Sequence, residues 1–262
     1  MYPVLFHIGG YTVFSFGLMA ALALIVPGFL FGWPLLKARG FDPERVYEVI
    51  YVGGIGGFGG ARIYYLFQHW SEVKGDLWGS IWSGSGFTWY GGLLGGALAV
   101  IAWCLIRKIP LEVGAMFAGP WVAAGYAIGR IGCQLSGDGD YGKPSDLPWA
   151  MTYPKGTVPT TIKVQPTPVY ETIVMFALAC VLYRWARRGM NGWCVFGWFL
   201  VLSGVERFLI EFIRRNPHWL LGLTAPQWES ILGAIIGAVL VATFRGVTPA
   251  AAPARAGKAR RR

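Results

Sequence analysis

Residues 12–36 read TVFSFGLMAALALIVPGFLFGWPLL, an apolar run without one charged side chain. Hydrocarbon about 30 Å thick takes roughly 20 helical residues to cross, so this run is long enough to span a bilayer. No Lys or Arg precedes it, so it lacks the basic leader of a cleaved signal peptide and reads as a retained first crossing. Further apolar runs at 46–68, 89–107, 111–132, 167–186, 193–213 and 227–245 approach the same length and predict seven spans. The second is the weakest, because YVGGIGGFGGAR (51–62) is so rich in Gly that its helicity depends on neighbours. A broken or re-entrant segment is the alternative there.

Composition agrees with that reading. Only 14% of the 262 residues are charged, against roughly 25% in a soluble domain, and the mean hydropathy is +0.47. Disorder and an ordinary soluble globule are excluded. The net charge of +10 raises nucleic acid as a partner, but the excess sits in short loops and a tail, the pattern of an insertion signal, so no nucleic-acid partner is expected. One set of loops holds Lys37, Arg39, Arg45, Arg107, Lys108, Arg184, Arg187, Arg188, Arg245 and the tail cations. The other holds Lys74, Lys143, Lys155, Lys163, Arg214 and Arg215. The positive-inside rule then orients the chain N-out and C-in.

The expected fold is an all-α polytopic membrane protein with about seven transmembrane helices over residues 1–245 and a small periplasmic cap at 133–166. A disordered basic cytoplasmic tail follows at 246–262. The cap is rich in Pro and contains two strand-like pieces, WAMTY (149–153) and TIKVQ (161–165). Trp70, Trp78 and Trp82, among Gly and Ser at 69–88, suit a segment lying in the headgroup layer. The four cysteines form no CxxC pair, so neither a disulfide framework nor a metal site is implied, and no organic cofactor is suggested.

Three arginines fall where arginine is expensive: Arg62 ends the Gly-rich second span, Arg130 lies near the outer end of the fourth, and Arg207 lies inside the sixth. Carboxylates run beside them, Glu171 opening the fifth span and Glu206 and Glu211 in the sixth. Arg207 and Glu211 are four apart on one helical face, so a carboxylate should meet an arginine from another span. A guanidinium stays charged and grips phosphate with a fork of donors, so intramembrane Arg without intramembrane Lys suits a lipid phosphodiester. Gly129, Gly132, Gly137, Gly139 and Gly142 surround Arg130 and would let backbone approach a ligand. The alternatives are ion pairs that only order the bundle, or the buried charges of a transporter.

GARIYYLF (60–67), YGGLLGG (90–96), GRIGCQLSGDGDYGKP (129–144), QPTPVYE (165–171) and ERFLIEFIRRNP (206–217) together resemble the prolipoprotein diacylglyceryl transferase family. The resemblance covers nearly the whole chain except the tail. It implies a multi-pass enzyme of the bacterial inner (plasma) membrane, working among membrane lipids on phosphatidylglycerol and prolipoprotein signal peptides. The diacylglyceryl group would pass to the lipobox cysteine thiol, with release of glycerol phosphate. On this resemblance Arg130 binds the lipid phosphate and Arg207 is catalytic, with Arg62, Glu211 and Gly142 as further substrate-binding positions. Where the family commonly has His-Gly-Gly-Leu, this chain has Tyr90-Gly91-Gly92-Leu93, and Cys133, Ser136 and Asp138 replace two Asn and a Glu. Three accounts of the thiol proton stand: Tyr90 as a hydrogen-bonding residue with Asp138 or Asp140 taking the proton, no strong base at all, or a divergent lipid-binding protein without turnover.

Overall fold

The structure, a computed structural model, describes residues 1–75, 77–82 and 88–246, with the backbone alone at 77, 81, 82, 89 and 90. A hairpin of β1 (Val4–Ile8) and β2 (Tyr11–Phe14) leads into α1 (Ser15–Pro27), a π-helical turn (Gly28–Gly32) and α2 (Trp33–Ala38). Then come α3 (Arg45–Gln68), the short α4 (Trp70–Val73) and α5 (Leu77–Trp82), α6 (Trp89–Ile106) and α7 (Leu111–Ser136). A second hairpin, β3 (Met151–Tyr153) with β4 (Thr160–Val164), precedes α8 (Thr167–Arg187) and α9 (Gly192–Ile210). A third, β5 (His218–Leu220) with β6 (Leu223–Thr224), precedes α10 (Ala225–Phe244).

Among the described residues, five helical stretches are long and apolar enough to cross a membrane: Ser15–Ala38, Leu111–Ser136, Thr167–Arg187, Gly192–Ile210 and Ala225–Phe244. Large apolar side chains such as Ile55, Phe58, Ile63, Phe67 and Ile235 point outward, a surface that suits lipid and not water. α7 is the central helix, with 67% of its apolar window buried, against 17–28% for the other four. It packs against α1, α8 and α9, and its buried face of Gly114, Ala115, Gly119, Ala123, Ala124 and Ala127 lets those helices come close.

The chain is mostly helical, as expected of an all-α membrane protein, and among the described residues three small two-stranded antiparallel sheets cap helix ends. The middle one falls on the two strand-like pieces read from the cap. The N-terminal hairpin and β5–β6 carried no alternating apolar pattern and were not expected. The Gly-rich α3 is one continuous helix, not a broken one. Its partner explains this, because Gly56 and Gly60 lie directly against Gly91 and Gly95 of α6, so that a Cβ on Gly60 would sit 2.8 Å from the Gly95 Cα. Backbone contact between the two helices supplies the packing that Gly withholds. Gly95→Val should therefore push α3 and α6 apart and cost about 1–3 kcal/mol, read as a lower unfolding temperature in detergent. Gly59→Ala, with nothing within 4 Å of the added Cβ, should not.

The first span changes its winding for a definite reason. Pro27 lacks an N–H, and the helix continues as a π turn whose Gly28 and Gly32 seat the Trp121 ring, 2.8 Å from where a Cβ would be. The Trp121 indole N–H donates to the Leu24 carbonyl at 3.1 Å, satisfying an acceptor near that change. At the opposite end of the bundle the cap has a core of its own, with Tyr141, Tyr153 and Val164 buried and the two tyrosine rings stacked at 4.7 Å. The tail beyond residue 246, and residues 76 and 83–87 of the headgroup-layer segment at 69–88, lie outside the described residues.

Candidate active site

The end of α7 builds the site. Gly137 takes a left-handed conformation (φ 60°) and stops the helix, and Gly139 (φ 94°) turns the chain again. These two reversals fold Asp140 back onto Arg130, with which it forms a close ion pair. Thr167, opening α8, donates its hydroxyl to the Asp140 carbonyl at 2.5 Å, and one turn into that helix stands Glu171, fully buried.

Glu171 is the hub. Its carboxylate lies 3.2 Å from Arg130 of α7, 3.6 Å from Arg207 of α9 and 3.5 Å from Arg214, just past the end of α9. The Tyr126 hydroxyl donates to Glu171 at 2.6 Å and accepts from Arg130 at 2.8 Å. Glu211 lies 3.1 Å from Arg207 and 3.9 Å from Arg214, and Asn216 donates to its other oxygen. Arg214 also reaches Asp140 at 2.6 Å. Three guanidiniums thus face three carboxylates, and the balance of charge limits the cost of burying them. Direct hydrogen bonds are fewer than the ion pairs: Arg130 Nε, Arg207 Nη1 and Arg214 Nη1, and on the acceptor side Glu171 Oε2 and Glu211 Oε2, are buried without a hydrogen-bond partner among the described residues, while Arg207 Nη1 and Arg214 Nη1 stay within ion-pair distance of Glu171.

Two carboxylates of the Gly-rich turn are driven apart. Burial pushes Asp140 upward, but Arg130 and Arg214 together outweigh it and hold the carboxyl below its usual range. Burial pushes Asp138 upward, reinforced by the neighbouring Asp140 charge, and here the opposing contributions do not win. The Cys133 sulfur and one oxygen from each aspartate lie within 4.8 Å of one another. The two carboxyls are thereby set on opposite sides of the ordinary aspartate value, Asp138 above it and Asp140 below.

The sequence-read positions are not all brought together. Arg130, Arg207 and Glu211 share the network, and Asp138 adjoins it. Gly142 packs beside it, since a Cβ there would lie 2.6 Å from the Ile213 carbonyl, and its N–H is already given to Gln165 at 2.8 Å. Arg62 is buried on α3, its guanidinium 5.4 Å from the centre of the Tyr65 ring, and belongs to none of the ion pairs above. The Tyr90 side chain lies outside the described residues. Two members were missed by sequence reading. Arg214 follows Arg207 at i+7 and Glu211 at i+3, and Tyr126 precedes Arg130 by one turn, so helical spacing alone would have put both on the right faces.

These helices and this buried arginine–carboxylate network define a multi-pass membrane protein whose polar site is built chiefly from guanidinium groups. The family model described as prolipoprotein diacylglyceryl transferase matches residues 3–243, and the chain belongs to that family. Relatives carrying the name phosphatidylglycerol–prolipoprotein diacylglyceryl transferase include one from Clostridium tetani, 31% identical over 251 residues, covering 90% of this chain and 95% of its own. The protein from Chromohalobacter salexigens is 35% identical over 240 residues, 86% of this chain and 84% of its own. That from Methylococcus capsulatus is 33% identical over 238 residues, 86% of each.

Proposed function

We propose that this protein transfers the diacylglyceryl group of phosphatidylglycerol to the lipobox cysteine thiol of prolipoprotein signal peptides at the bacterial inner membrane. The observation that carries this reading is the convergence of Arg130, Arg207 and Arg214, from α7, α9 and the turn after α9, on one network around Glu171. Supporting it are family membership and relatives named for this reaction. The chain would cross seven times, N-out and C-in, with α3 and α6 as the two spans beyond the five apolar ones, and with the three hairpins on the periplasmic side.

In the reaction the cysteine sulfur attacks the glyceryl carbon that bears the phosphate ester. The new S–C bond forms as the C–O bond to phosphate breaks, and glycerol phosphate leaves with the bonding pair. Negative charge grows on that phosphate, and Arg130 and Arg207 stabilise it in a site from which water is largely excluded. Glu211 and Glu171 position the two guanidiniums. Arg62 would reach the substrate from α3, Tyr90 would serve the reaction as a hydrogen-bonding residue, and Gly142 would let the cap close against the turn after α9. The thiol proton goes to Asp138.

Purified protein with phosphatidylglycerol and a lipobox peptide should yield a thioether-linked diacylglyceryl peptide. A folded, lipid-binding preparation giving none would favour the non-catalytic lipid-binding reading, and flux across sealed vesicles without peptide modification would favour transport. Because the basic form of Asp138 is the active one and burial raises its pKa, kcat/KM should rise with pH along a limb lying above the ordinary aspartate range near 3.9. Asp138→Asn should lower the rate about 10²–10⁴-fold and erase that limb, while Asp138→Glu retains it. A limb that survives in Asp138→Asn places the base elsewhere.

A further inference from the structure

Transfer from phosphatidylglycerol makes two products of opposite solubility. The modified peptide stays in the bilayer, but glycerol phosphate is a small phosphomonoester, largely a dianion at neutral pH, and cannot leave through hydrocarbon. Its way out must be polar, must begin at the arginine network and must open to water.

One cavity meets all three conditions. It has a volume of about 370 Å³ and is lined by Gly139, Asp140, Tyr141, Arg214, Arg215 and Asn216, within the ~300–1,000 Å³ range of small-ligand sites. Its inner wall, Asp140 and Arg214, is part of the Glu171 network. Its outer wall is Arg215, which is exposed. The Arg215 guanidinium stacks over the Tyr141 ring at 4.4 Å and gives one N–H to the Gly139 carbonyl at 3.5 Å. Stacking holds the group at the mouth, and its other N–H groups have no partner among the described residues. A second cavity of about 280 Å³ shares Arg214, Arg215 and Asn216 and adds Lys143 and His218. The acidic groups on these walls do not oppose an anion, since Asp140 is taken by Arg130 and Arg214, and Glu211 by Arg207 and Arg214. Beyond that balanced network, the charged side chains at the opening are the cations Arg215 and Lys143.

Resting on the transferase reading, we infer that this Arg214–Arg215–Asn216 opening is a phosphomonoester subsite through which glycerol phosphate passes from Arg130 and Arg207 to water. Arg214 links the two stages because it contacts the network and lines both cavities, and Arg215 is the last cation on the route. The phosphodiester substrate does not use this subsite, as its acyl chains must stay in the bilayer.

Product inhibition tests the assignment in the full-length protein, assayed with phosphatidylglycerol and a lipobox peptide. Added glycerol phosphate should inhibit, inorganic phosphate should do so more weakly, and glycerol should not. Arg215→Ala should raise the inhibition constant of glycerol phosphate about three- to tenfold, the loss of one charge-assisted phosphate contact, and Arg215→Lys should recover part of it. If Arg215→Ala does not turn over, equilibrium dialysis of labelled glycerol phosphate reads the same constant directly. An unmoved constant, or inhibition by glycerol or inorganic phosphate as strong as by glycerol phosphate, overturns the subsite. Native protein that forms no modified peptide overturns the transferase reading, whereas modified peptide with an unmoved constant overturns the exit alone.

Discussion

Arg207→Ala should lower transfer about 10²–10³-fold while leaving a folded protein, the loss seen when a preorganised donor to a developing oxyanion is removed. Arg207 touches two carboxylates, Glu171 and Glu211, and both keep a second arginine: Arg130 and Arg214 hold Glu171, and Arg214 holds Glu211. Each of these carboxylates keeps an arginine, so the cost to the fold should be smaller than that of removing the shared Glu171, although one negative charge is left in excess. Arg130→Ala should behave alike in rate, with an added loss because Asp140 then depends on Arg214 alone. Lysine at either position should restore only part of the activity, since an ammonium supplies charge without the planar fork. The measurement is initial rate in the lipobox-peptide assay beside thermal unfolding in detergent. An Arg207→Ala protein with native turnover would remove the electrostatic core of the proposed mechanism.

Much of this architecture could be read from the chain because apolar length is a one-dimensional signal. All seven sequence-read runs lie on helices, and their limits agree to within a few residues. What escaped were the features whose cause is a partner distant in sequence. The N-terminal hairpin is held at its base by Tyr2 N–H donating to the Leu135 carbonyl at 2.9 Å and Ser15 N–H to the Pro3 carbonyl at 3.0 Å. Neither bond has a local signature. The continuity of α3 was undecidable from YVGGIGGFGGAR alone, because the stabilising surface is a second Gly-rich stretch on α6. At the site, arginine at membrane depth marked Arg130 and Arg207 by cost. Arg214 stood in a stretch read as loop, so its cost was invisible until the turn after α9 carried it inward to 8% exposure. The role of Glu171 as a shared counter-ion likewise depends on three segments meeting, which spacing within any one of them does not specify.

Glu171→Ala should be the most destabilising single change at the site, in contrast to the arginine variants. Removing this carboxylate leaves the buried Arg214 and the half-buried Arg130 and Arg207 with only Asp140 and Glu211 to balance them, and Tyr126 loses its acceptor. Leaving a buried charge uncompensated costs about 3–5 kcal/mol, and the missing side chain adds a cavity beside α7. Glu171→Gln separates the two effects. It keeps the volume and an acceptor for Tyr126 but not the charge, so most of the instability should persist if electrostatics dominate and disappear if packing does. The net positive charge of the Gln variant also resembles a phosphate site with its resident anion removed. Added sulfate or phosphate should therefore raise its unfolding temperature more than that of the native protein, which already balances three cations with three anions. Equal stabilisation of both proteins by these salts would show that the guanidiniums cannot be reached by an external anion, contrary to what transfer from a phospholipid requires.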